Sequence, residues 1–300
     1  MIQKFKVEKE YHNSRFDKWF KKNVLNIPQS LIEKIVRKNR VKVNKKKIRT
    51  SYRVQLNDNI EIFDINNIKA TVRSLKIKYK ASDKEKKRYD NFVLENNENF
   101  IVINKPTGIP VQGGTKSFRN IIDVLKDTKY FSGDKPFVVH RLDKETSGVI
   151  IFAKNREYAQ LFTSLFRIRK IHKTYLAIVY GDFPKEKKIL QDNLIIYEND
   201  KKRIQKAICY LKVIKSSEKY SFLELNPITG RKHQLRKQLY NAGYPIVGDN
   251  KYFVKKKGEM SKKSLLMLHA YKIKFMINDI KYNFKADYNE DFKYFLKKSF

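Results

Sequence analysis

The 300-residue sequence predicts an α+β fold with a mainly antiparallel mixed sheet, and two features indicate this class. Short apolar runs, several rich in β-branched residues, recur from residue 92 onward and are typical of buried strands. Helical patterns interrupt these runs without the regular alternation of strand and helix that marks a parallel sheet. A polar, basic stretch at residues 66–90 separates them from a shorter N-terminal part. We therefore expect a small domain at residues 1–65, a linker at 66–90 and a large domain at 91–300.

The N-terminal part has the pattern of two short helices followed by strands. Residues 14–20 predict a first helix with Ser14 or Asn13 as its cap, and Pro28 favours the first turn of a second helix. The buried face of this second helix is predicted by an apolar stripe, which consists of Leu31, Ile32, Ile35 and Val36. Alternating patterns predict short strands at 41–44, 52–54 and 60–62, with a turn at residues 57–59.

The C-terminal part contains both strand and helix patterns. The predicted strands are residues 100–103, 137–139, 149–153, 175–179, 220–225 and 265–275. The predicted helices are residues 156–166 after the cap Asn155, residues 233–242 before Gly243, and residues 290–298 after Asn289. Helices inserted among strands in this way are what the α+β class requires.

A polar loop, residues 140–148 (His-Arg-Leu-Asp-Lys-Glu-Thr-Ser-Gly), lies between two of the apolar runs. Loops that a rigid sheet holds in place are common sites of chemistry. A triad of Ser147, His140 and Asp143 is disfavoured, because three members on one short loop rarely converge and no oxyanion loop is evident. A glycosidase pair of Asp143 and Glu145 is disfavoured as well, because both carboxylates would come from one side of the bond.

Taken together, the 140–148 loop resembles the H-R-L-D-x-x-T-S-G motif of the RluA-type family of RNA pseudouridine synthases. Three further stretches match later or earlier motifs of that family in the right order: residues 104–108, 173–177 and 229–236. The resemblance implies the pseudouridine synthase fold and the conversion of uridine in RNA to its carbon-linked isomer. It also implies that Asp143 is the catalytic aspartate, that Tyr175 packs on the base and that Arg236 pairs with the aspartate.

The reaction suits these residue types. Breaking the bond from uracil nitrogen to ribose and rejoining the base through carbon involves no oxidation, so we expect no cofactor. A carboxylate can attack the anomeric carbon or remove the 2′ proton, and the sequence leaves both roles of Asp143 open. Either role needs an ionised carboxylate, which the planar, always charged guanidinium of Arg236 can hold bidentately. Tyr175 offers a flat face to the detached uracil.

RNA contacts are expected around this centre. A stacked or paired uridine has to be flipped out, and family resemblance implies that Arg141 enters the space that the base leaves. We expect His140 to shape the loop beside the RNA. Lys105 and Arg231 are candidate phosphate contacts, with an ordinary surface charge as the alternative for each.

The N-terminal part resembles a second family, the αL RNA-binding domain first seen in the small-subunit ribosomal protein numbered four. The resemblance rests on residues 15–17, 37–44 and 57–58. Asn39 and Asn57 stand where that family commonly has glycine, and since asparagine tolerates the left-handed region we expect both turns to survive. The RNA-binding residues it implies are Arg15, Arg37, Lys38, Arg40, Lys42 and Asn44. A helix face that is merely solvated remains the alternative.

Composition agrees with a nucleic-acid partner. The chain has 67 Lys+Arg against 31 Asp+Glu, a formal charge of +36, although lysine enrichment on solvated faces contributes to such an excess. The single cysteine, Cys209, allows no disulfide within the chain, and the five histidines lack the spacing of a metal site. No stretch approaches the roughly 18 apolar residues of a membrane span, and the N-terminus does not resemble a signal peptide. We expect a cytoplasmic monomer without a metal.

Within the synthase family, the resemblance favours members that act on large-subunit (23S) ribosomal RNA. It rests on three short stretches, residues 28–30, 43–46 and 111–114. Gln112 and Gln238 stand where relatives often have histidine. Two alternatives remain: a related synthase that modifies other uridines of the same RNA, and a non-catalytic rRNA-binding assembly factor.

Overall fold

A computed structural model describes residues 2–65, 79–113, 119–198, 201–253 and 265–300, with the backbone alone at 196–198 and 201–202. The chain divides into two compact units, Met1–Lys76 and Ile77–Phe300. The expected linker falls partly on residues 66–78, which lie outside the described residues, as does Gly114 of the short stretch 111–114.

The first unit packs two helices on a four-stranded antiparallel sheet. Its elements are β1 (Ile2–Lys6), a 3-10 turn (Lys9–Tyr11), α1 (Phe16–Asn23), α2 (Gln29–Arg37), β2 (Val41–Val43), β3 (Lys46–Lys47) and β4 (Asn59–Phe63). The strand order is β1-β4-β2-β3. Phe16, Trp19 and Phe20 of α1 and Ile32 of α2 are buried against the sheet, as an apolar helix face predicts.

Three details of the first unit differ from expectation. The N-cap of α1 is Arg15 and no side chain caps it, so the prediction of Ser14 or Asn13 as the cap is wrong. The reason is that Asn13 and Ser14 pair through their backbones with Val54 and keep the chain non-helical up to Arg15. Residues 52–54 form only an isolated bridge, and β1 was not predicted. The turns at Asn39 and Asn57 are confirmed, with φ of 56° and 66°.

The second unit is built on a large sheet. Its elements are α3 (Asp83–Asp90), β5 (Val93–Asn96), β6 (Phe100–Lys105), α4 (Ile121–Lys126), β7 (Phe137–Val138), β8 (Ser147–Ala153), α5 (Arg156–Arg167), β9 (His172–Tyr180), β10 (Ile189–Glu198), β11 (Lys201–Ser216), β12 (Tyr220–Pro227), α6 (Gln234–Asn241), β13 (Leu268–Ile277), β14 (Ile280–Lys285) and α7 (Glu290–Ser299). The described strands form a ten-stranded sheet ordered β10-β11-β12-β9-β13-β8-β6-β5, with β14 on β13 and β7 on β8. The pairing of β8 with β13 is parallel and the other pairings are antiparallel, which confirms the predicted α+β class.

Helix α3 lies where a linker was expected. Ser82 caps it by accepting the N–H of Glu85, and Tyr89 on its inner side is buried in the core of the second unit. The sequence hid this helix because its lysines and acids leave no sustained apolar period. Only two of its residues, Glu85 and Tyr89, are buried.

Two predicted helix N-caps are confirmed. The side chain of Asn155 accepts the N–H of Tyr158 at the start of α5, and Asn289 accepts that of Phe292 at the start of α7, as predicted. The long hairpin of β10 and β11 was missed, since β10 is an edge strand that exposes Ile189 and Ile195 and buries Leu190 and Leu194, so its apolar residues do not alternate with polar ones.

The topology brings three of the motif stretches of the second unit together. The 140–148 loop leads into β8, and β13 separates β8 from β9, which carries Tyr175. Strand β12 is the other neighbour of β9, and α6 with Arg236 follows it. The loop, the strand and the helix therefore meet at one place on the sheet.

Candidate active site

A cleft of about 580 Å³ lies where these elements meet. Asp143 from the 140–148 loop, Tyr175 from β9 and Arg236 from α6 all line it, so the structure brings the three predicted catalytic residues together. Among the described residues that line the cleft, Asp143 is the only carboxylate. The cations that line it are Arg141, Arg167, Arg169, Lys173, Arg231, Lys232 and Arg236.

The end of the 140–148 loop is locked to the sheet. Gly148 has a φ of 110°, and a Cβ there would overlap the carbonyl oxygen of Ala270 on the parallel strand β13. Only glycine permits that close approach. Beside it, the Ser147 hydroxyl donates to His269 Nδ1 (2.9 Å), whose Nε2 donates to the carbonyl of Ala286 (3.0 Å). These contacts hold the loop at a defined height over the sheet.

The middle of the loop is held by residues 104–108. Lys144 O accepts the N–H of Gly108 (2.9 Å) and the ammonium of Lys105 (3.1 Å), and Glu145 O accepts the hydroxyl of Thr107 (2.7 Å). The first motif of the sequence resemblance is thus a support for the loop that carries Asp143.

Lys105 is therefore not a phosphate contact, and that prediction is wrong. Its side chain is fully buried, and its ammonium also donates to the carbonyls of Pro106 (2.9 Å) and Ile109 (3.0 Å). Burial lowers the pKa of Lys105 to about 7, against the opposite effect of the charges on Glu145 and Asp143. Three carbonyls around one ammonium use all of its donors and leave none for RNA.

Arg236 faces Asp143, but its bidentate partner is a different carboxylate. Its Nη1 lies 3.8 Å from Asp143 Oδ2, whereas Nε and Nη2 each donate to Asp249 at 2.7 Å. On the other side of Asp143, His233 Nε2 lies 3.7 Å from Oδ1. Burial lowers the pKa of His233, while the charge of Asp143 acts to raise it. Asp143 thus sits between two nitrogens at ion-pair distance.

Tyr175 is on a central strand and lines the cleft beside Asp143. Its backbone pairs with Leu225 on one side and with Ala270 on the other, and these pairings fix the backbone position from which the ring projects. Burial, together with the negative charge of Asp143, raises the pKa of the Tyr175 hydroxyl well above its usual range. The side chain is therefore a neutral phenol near pH 7 and offers an uncharged aromatic face.

The predicted RNA contacts around the cleft have different environments. Arg141 is exposed, and no hydrogen-bond or ion-pair partner for its side chain occurs among the described residues. His140 accepts the N–H of Ile151 through Nε2 (2.9 Å) and packs on Phe166, with its pKa lowered to about 3 by burial and by Lys173. The contact of His140 with the backbone of Ile151 supports its expected role in shaping the loop. Arg231 Nε donates to Lys206 O (3.3 Å) at the cleft wall.

Several residues of the cleft escaped the sequence reasoning. Arg167 is the last residue of α5 and Arg169 follows it, and a basic run at the end of an amphipathic helix was the signal available for them. His233 and Lys173 lie inside recognised motifs but were given no role. Asp249 lies outside every motif singled out, so only the structure identifies it.

In the first unit, two predicted RNA contacts are engaged within the protein. Arg15 Nε donates to the buried carboxylate of Asp17 (3.1 Å), and Asn44 Nδ2 donates to the buried Asp58 (2.7 Å). Both therefore also support the fold. The side chains of Arg37, Lys38 and Arg40 have no hydrogen-bond or ion-pair partner within residues 2–65, and the ammonium of Lys42 lies over the ring of Phe63.

The described residues contain neither a cluster of metal ligands nor a membrane-spanning helix. No group of three or more His, Cys, Asp or Glu side chains there is arranged to hold a metal ion. None of the described helices combines the length and the apolar character that crossing a bilayer requires.

Two family models match the chain. The model described as RNA pseudouridylate synthase matches residues 99–241, a range that contains Asp143, Tyr175 and Arg236. The model described as S4 domain matches residues 14–60, within the first unit.

Full-length relatives agree with both matches. A protein named ribosomal large subunit pseudouridine synthase C from Rickettsia conorii (strain ATCC VR-613 / Malish 7) is 36% identical over 271 residues, which cover 87% of this chain and 88% of the relative. A protein of the same name from Buchnera aphidicola subsp. Baizongia pistaciae (strain Bp) is 31% identical over 281 residues, which cover 90% of this chain and 88% of the relative. The short stretches at residues 28–30, 43–46 and 111–114 predict this C type, and the recognition is confirmed.

A solved structure agrees on the fold. The protein titled human RNA pseudouridylate synthase domain containing 4 superposes with a TM-score of 0.61 at 28% identity, and the match covers 71% of this chain and 94% of that one. With the cleft, the family models and the full-length relatives in agreement, the chain belongs to the RNA pseudouridylate synthase family.

Proposed function

We propose that this chain converts uridines of large-subunit ribosomal RNA to pseudouridine, with Asp143 as the catalytic residue. The observation that carries the proposal is the cleft itself. One carboxylate, Asp143, lies among seven cationic side chains and beside a neutral aromatic ring. The names of the relatives support large-subunit ribosomal RNA as the substrate.

The basic wall of the cleft suits a flipped nucleotide. Lys and Arg side chains neutralise phosphates on either side of the target, and this sequence-independent attraction supplies much of the affinity for RNA. Arg141, exposed on the loop next to Asp143, is free to occupy the space that the flipped base leaves. The flipped uracil would then lie against the ring of Tyr175, which stacking favours.

The chemical step needs an ionised carboxylate with free oxygens. Arg236 Nη1 stands 3.8 Å from one oxygen of Asp143 and supplies a positive charge without a short hydrogen bond. His233 Nε2 stands 3.7 Å from the other oxygen. The carboxylate either attacks the anomeric carbon and forms an acylal, or removes the 2′ proton and forms a glycal. In each case uracil leaves with the electron pair of the C–N bond, turns, and rejoins through carbon 5, which then loses its proton.

The division of labour in the chain is part of the proposal. Residues 1–65 would serve as an RNA-binding module and residues 91–300 as the catalytic domain, and α3 in the segment between them belongs with the second unit. The S4 match over residues 14–60 and the exposed Arg37 and Lys38 support the first assignment. The described residues that line the cleft all belong to the second unit, which supports action as a monomer, and an rRNA substrate supports action in the cytoplasm.

Mapping pseudouridines in ribosomal RNA of cells that lack the gene tests the proposal. We expect specific positions to lose the modification and to regain it when the wild-type chain is supplied. Asp143→Asn, which keeps size and removes the charge, should leave these positions unmodified while RNA binding stays within a few-fold. The matched control is Asp279→Asn in the exposed β13–β14 turn, where the positive φ of 60° suits asparagine equally well.

Other outcomes have definite meanings. Modification restored by Asp143→Asn would exclude Asp143 as the catalytic residue. Loss of the modification at uridines of this RNA other than those that the C-type enzymes modify would favour the related synthase that acts on other uridines. An unchanged pseudouridine map with defective ribosome assembly would favour the non-catalytic assembly factor.

A further inference from the structure

Residues 249–252 contact Arg236 and His233, the two side chains beside Asp143, although they lie outside the motifs identified in the sequence. The Asp249 carboxylate binds Arg236, and the Tyr252 hydroxyl lies 2.9 Å from Nδ1 of His233. The turn that carries them begins at Gly248, where φ is 78° and a Cβ would overlap the carbonyl oxygen of Leu265. Asp249 is thus buried beside the cleft, at the start of a turn whose backbone packs closely against Leu265.

The Asp249 side chain is an unusually complete clamp. It has no exposed surface, and its two oxygens accept Nε and Nη2 of Arg236 at 2.7 Å each. Oδ1 also accepts the backbone N–H groups of Lys251 (2.8 Å) and Tyr252 (2.9 Å). Burial acts to raise the pKa of Asp249, but the bonds from Arg236 and from these amides outweigh it and lower the pKa overall.

This clamp determines where the rest of the guanidinium points. A guanidinium is planar and rigid, so fixing Nε and Nη2 fixes Nη1 as well. Nη1 then lies 3.8 Å from both Asp143 and Glu145, beyond hydrogen-bond distance. The ring of Tyr252, 5.3 Å from the guanidinium carbon, covers Arg236 on one face.

From these contacts we propose that Asp249 is a positioning residue, which keeps Arg236 directed at Asp143 and restrains it from forming a two-pronged hydrogen bond with that carboxylate. Asp143 receives the electrostatic benefit of a nearby cation while its oxygens remain free to react. A guanidinium released from Asp249 would move onto Asp143 and occupy those oxygens. This inference rests on the proposed function.

The test uses Asp249→Asn in the full chain, assayed on an rRNA fragment whose uridine the wild type modifies. We expect kcat to fall at least tenfold, because the amide cannot accept both prongs of Arg236. The dissociation constant for the RNA should stay within twofold, because Asp249 is buried and reaches no ligand. Glu85→Gln is the matched control, since Glu85 is another buried carboxylate that accepts Nε and Nη2 of an arginine, Arg119, outside the cleft lining. It should keep wild-type kcat.

A double-variant cycle separates positioning from general structural support. In an Arg236→Lys background the planar fork is absent, so adding Asp249→Asn should change kcat less than twofold. Equal fold losses in both backgrounds would overturn the proposal, as would an unchanged kcat in Asp249→Asn alone. Should Asp249→Asn not fold, Asp249→Glu keeps the charge but displaces the guanidinium, and it carries the same expectation. A wild-type chain without activity on any rRNA fragment would instead overturn the proposed function.

Discussion

At the scale of single residues, environment changes what a residue type does. Lysine in a basic RNA-binding protein suggests a phosphate contact, yet Lys105 is fully buried and bonds three carbonyls, one of them in the 140–148 loop. Arginine beside a catalytic aspartate suggests a direct bidentate pair, yet Arg236 gives its two prongs to Asp249. Lys105 therefore supports Asp143 through the backbone of the loop, and Arg236 influences it through its positive charge.

Replacing Lys105 by methionine tests the first of these roles. The variant keeps the length of the side chain but removes the donor from three carbonyls, of which that of Ile109 is buried, so the free energy of unfolding should fall by about 1–3 kcal/mol. Because the loop is loosened, kcat should fall while RNA affinity stays close to wild type. Chemical denaturation, turnover and RNA titration measure the three quantities.

Lys281→Met, an equal change at an exposed position of β14, is the control and should leave all three unchanged. Weaker RNA binding by Lys105→Met with unchanged stability would return Lys105 to the role of a phosphate contact.

At the scale of elements, the site depends on one unusual strand pairing. The parallel contact between β8 and β13 joins two antiparallel halves of the sheet, and it comprises only His269 with Ser147 and Ala270 with Gly148. The 140–148 loop ends at this joint. The position of Asp143 over the sheet therefore depends on how closely the two strands approach.

Gly148→Ala should disturb that joint directly. The new methyl group meets the Ala270 carbonyl at a φ of 110°, so we expect a loss of about 2–4 kcal/mol of unfolding free energy from overpacking and backbone strain together. Turnover should fall with it. Thermal or chemical unfolding measures the loss.

Gly133→Ala is the matched control, because Gly133 has a comparable φ of 99° but nothing within 4 Å of an added Cβ. A similar loss in both variants would mean that backbone strain alone, and not the contact with β13, explains the glycine.

At the scale of the whole molecule, charge and chemistry are carried by two units. The first unit has a hydrophobic core around Trp19 and Phe20, and the second unit has its cores on the large sheet. In our proposal, the basic residues behind the formal charge of +36 bind RNA both at the cleft and on the first unit. Affinity for RNA and turnover should then respond to different substitutions.

Replacing Arg37, Lys38 and Arg40 together by alanine tests this separation in the full chain. Each phosphate contact contributes roughly 0.7 to 0.9 to the slope of log affinity against log salt, so losing three should flatten the slope by about two units. Saturating turnover should change less than affinity. Binding to an rRNA fragment across a range of salt concentrations measures the slope.

Alanine at Lys281, Lys285 and Lys297 removes the same charge from exposed positions outside the cleft lining and is the control. Equal flattening in both triple variants would show that net charge, not a defined surface of the first unit, determines affinity. An unchanged slope with lost turnover would show that the first unit completes the active site.

The sequence by itself determined the features that depend on local pattern. Apolar runs of β-branched residues predicted the buried strands, asparagines predicted the caps of α5 and α7, and a nine-residue motif predicted the loop that carries Asp143 into the cleft. Asn39 and Asn57 adopt the left-handed turns expected of them. Such features follow from side-chain periodicity and backbone preference within a few residues, which a sequence displays directly.

Only the tertiary structure decided which distant groups meet. Asp249 reaches Arg236 because a turn after α6 folds back beneath it, and Lys105 is buried because β6 pairs with β8 under the loop. Helix α3 has no apolar stripe and is recognised by its cap and by the burial of Tyr89. Burial and pairing of polar groups depend on contacts between segments far apart in the chain, and no local pattern encodes them.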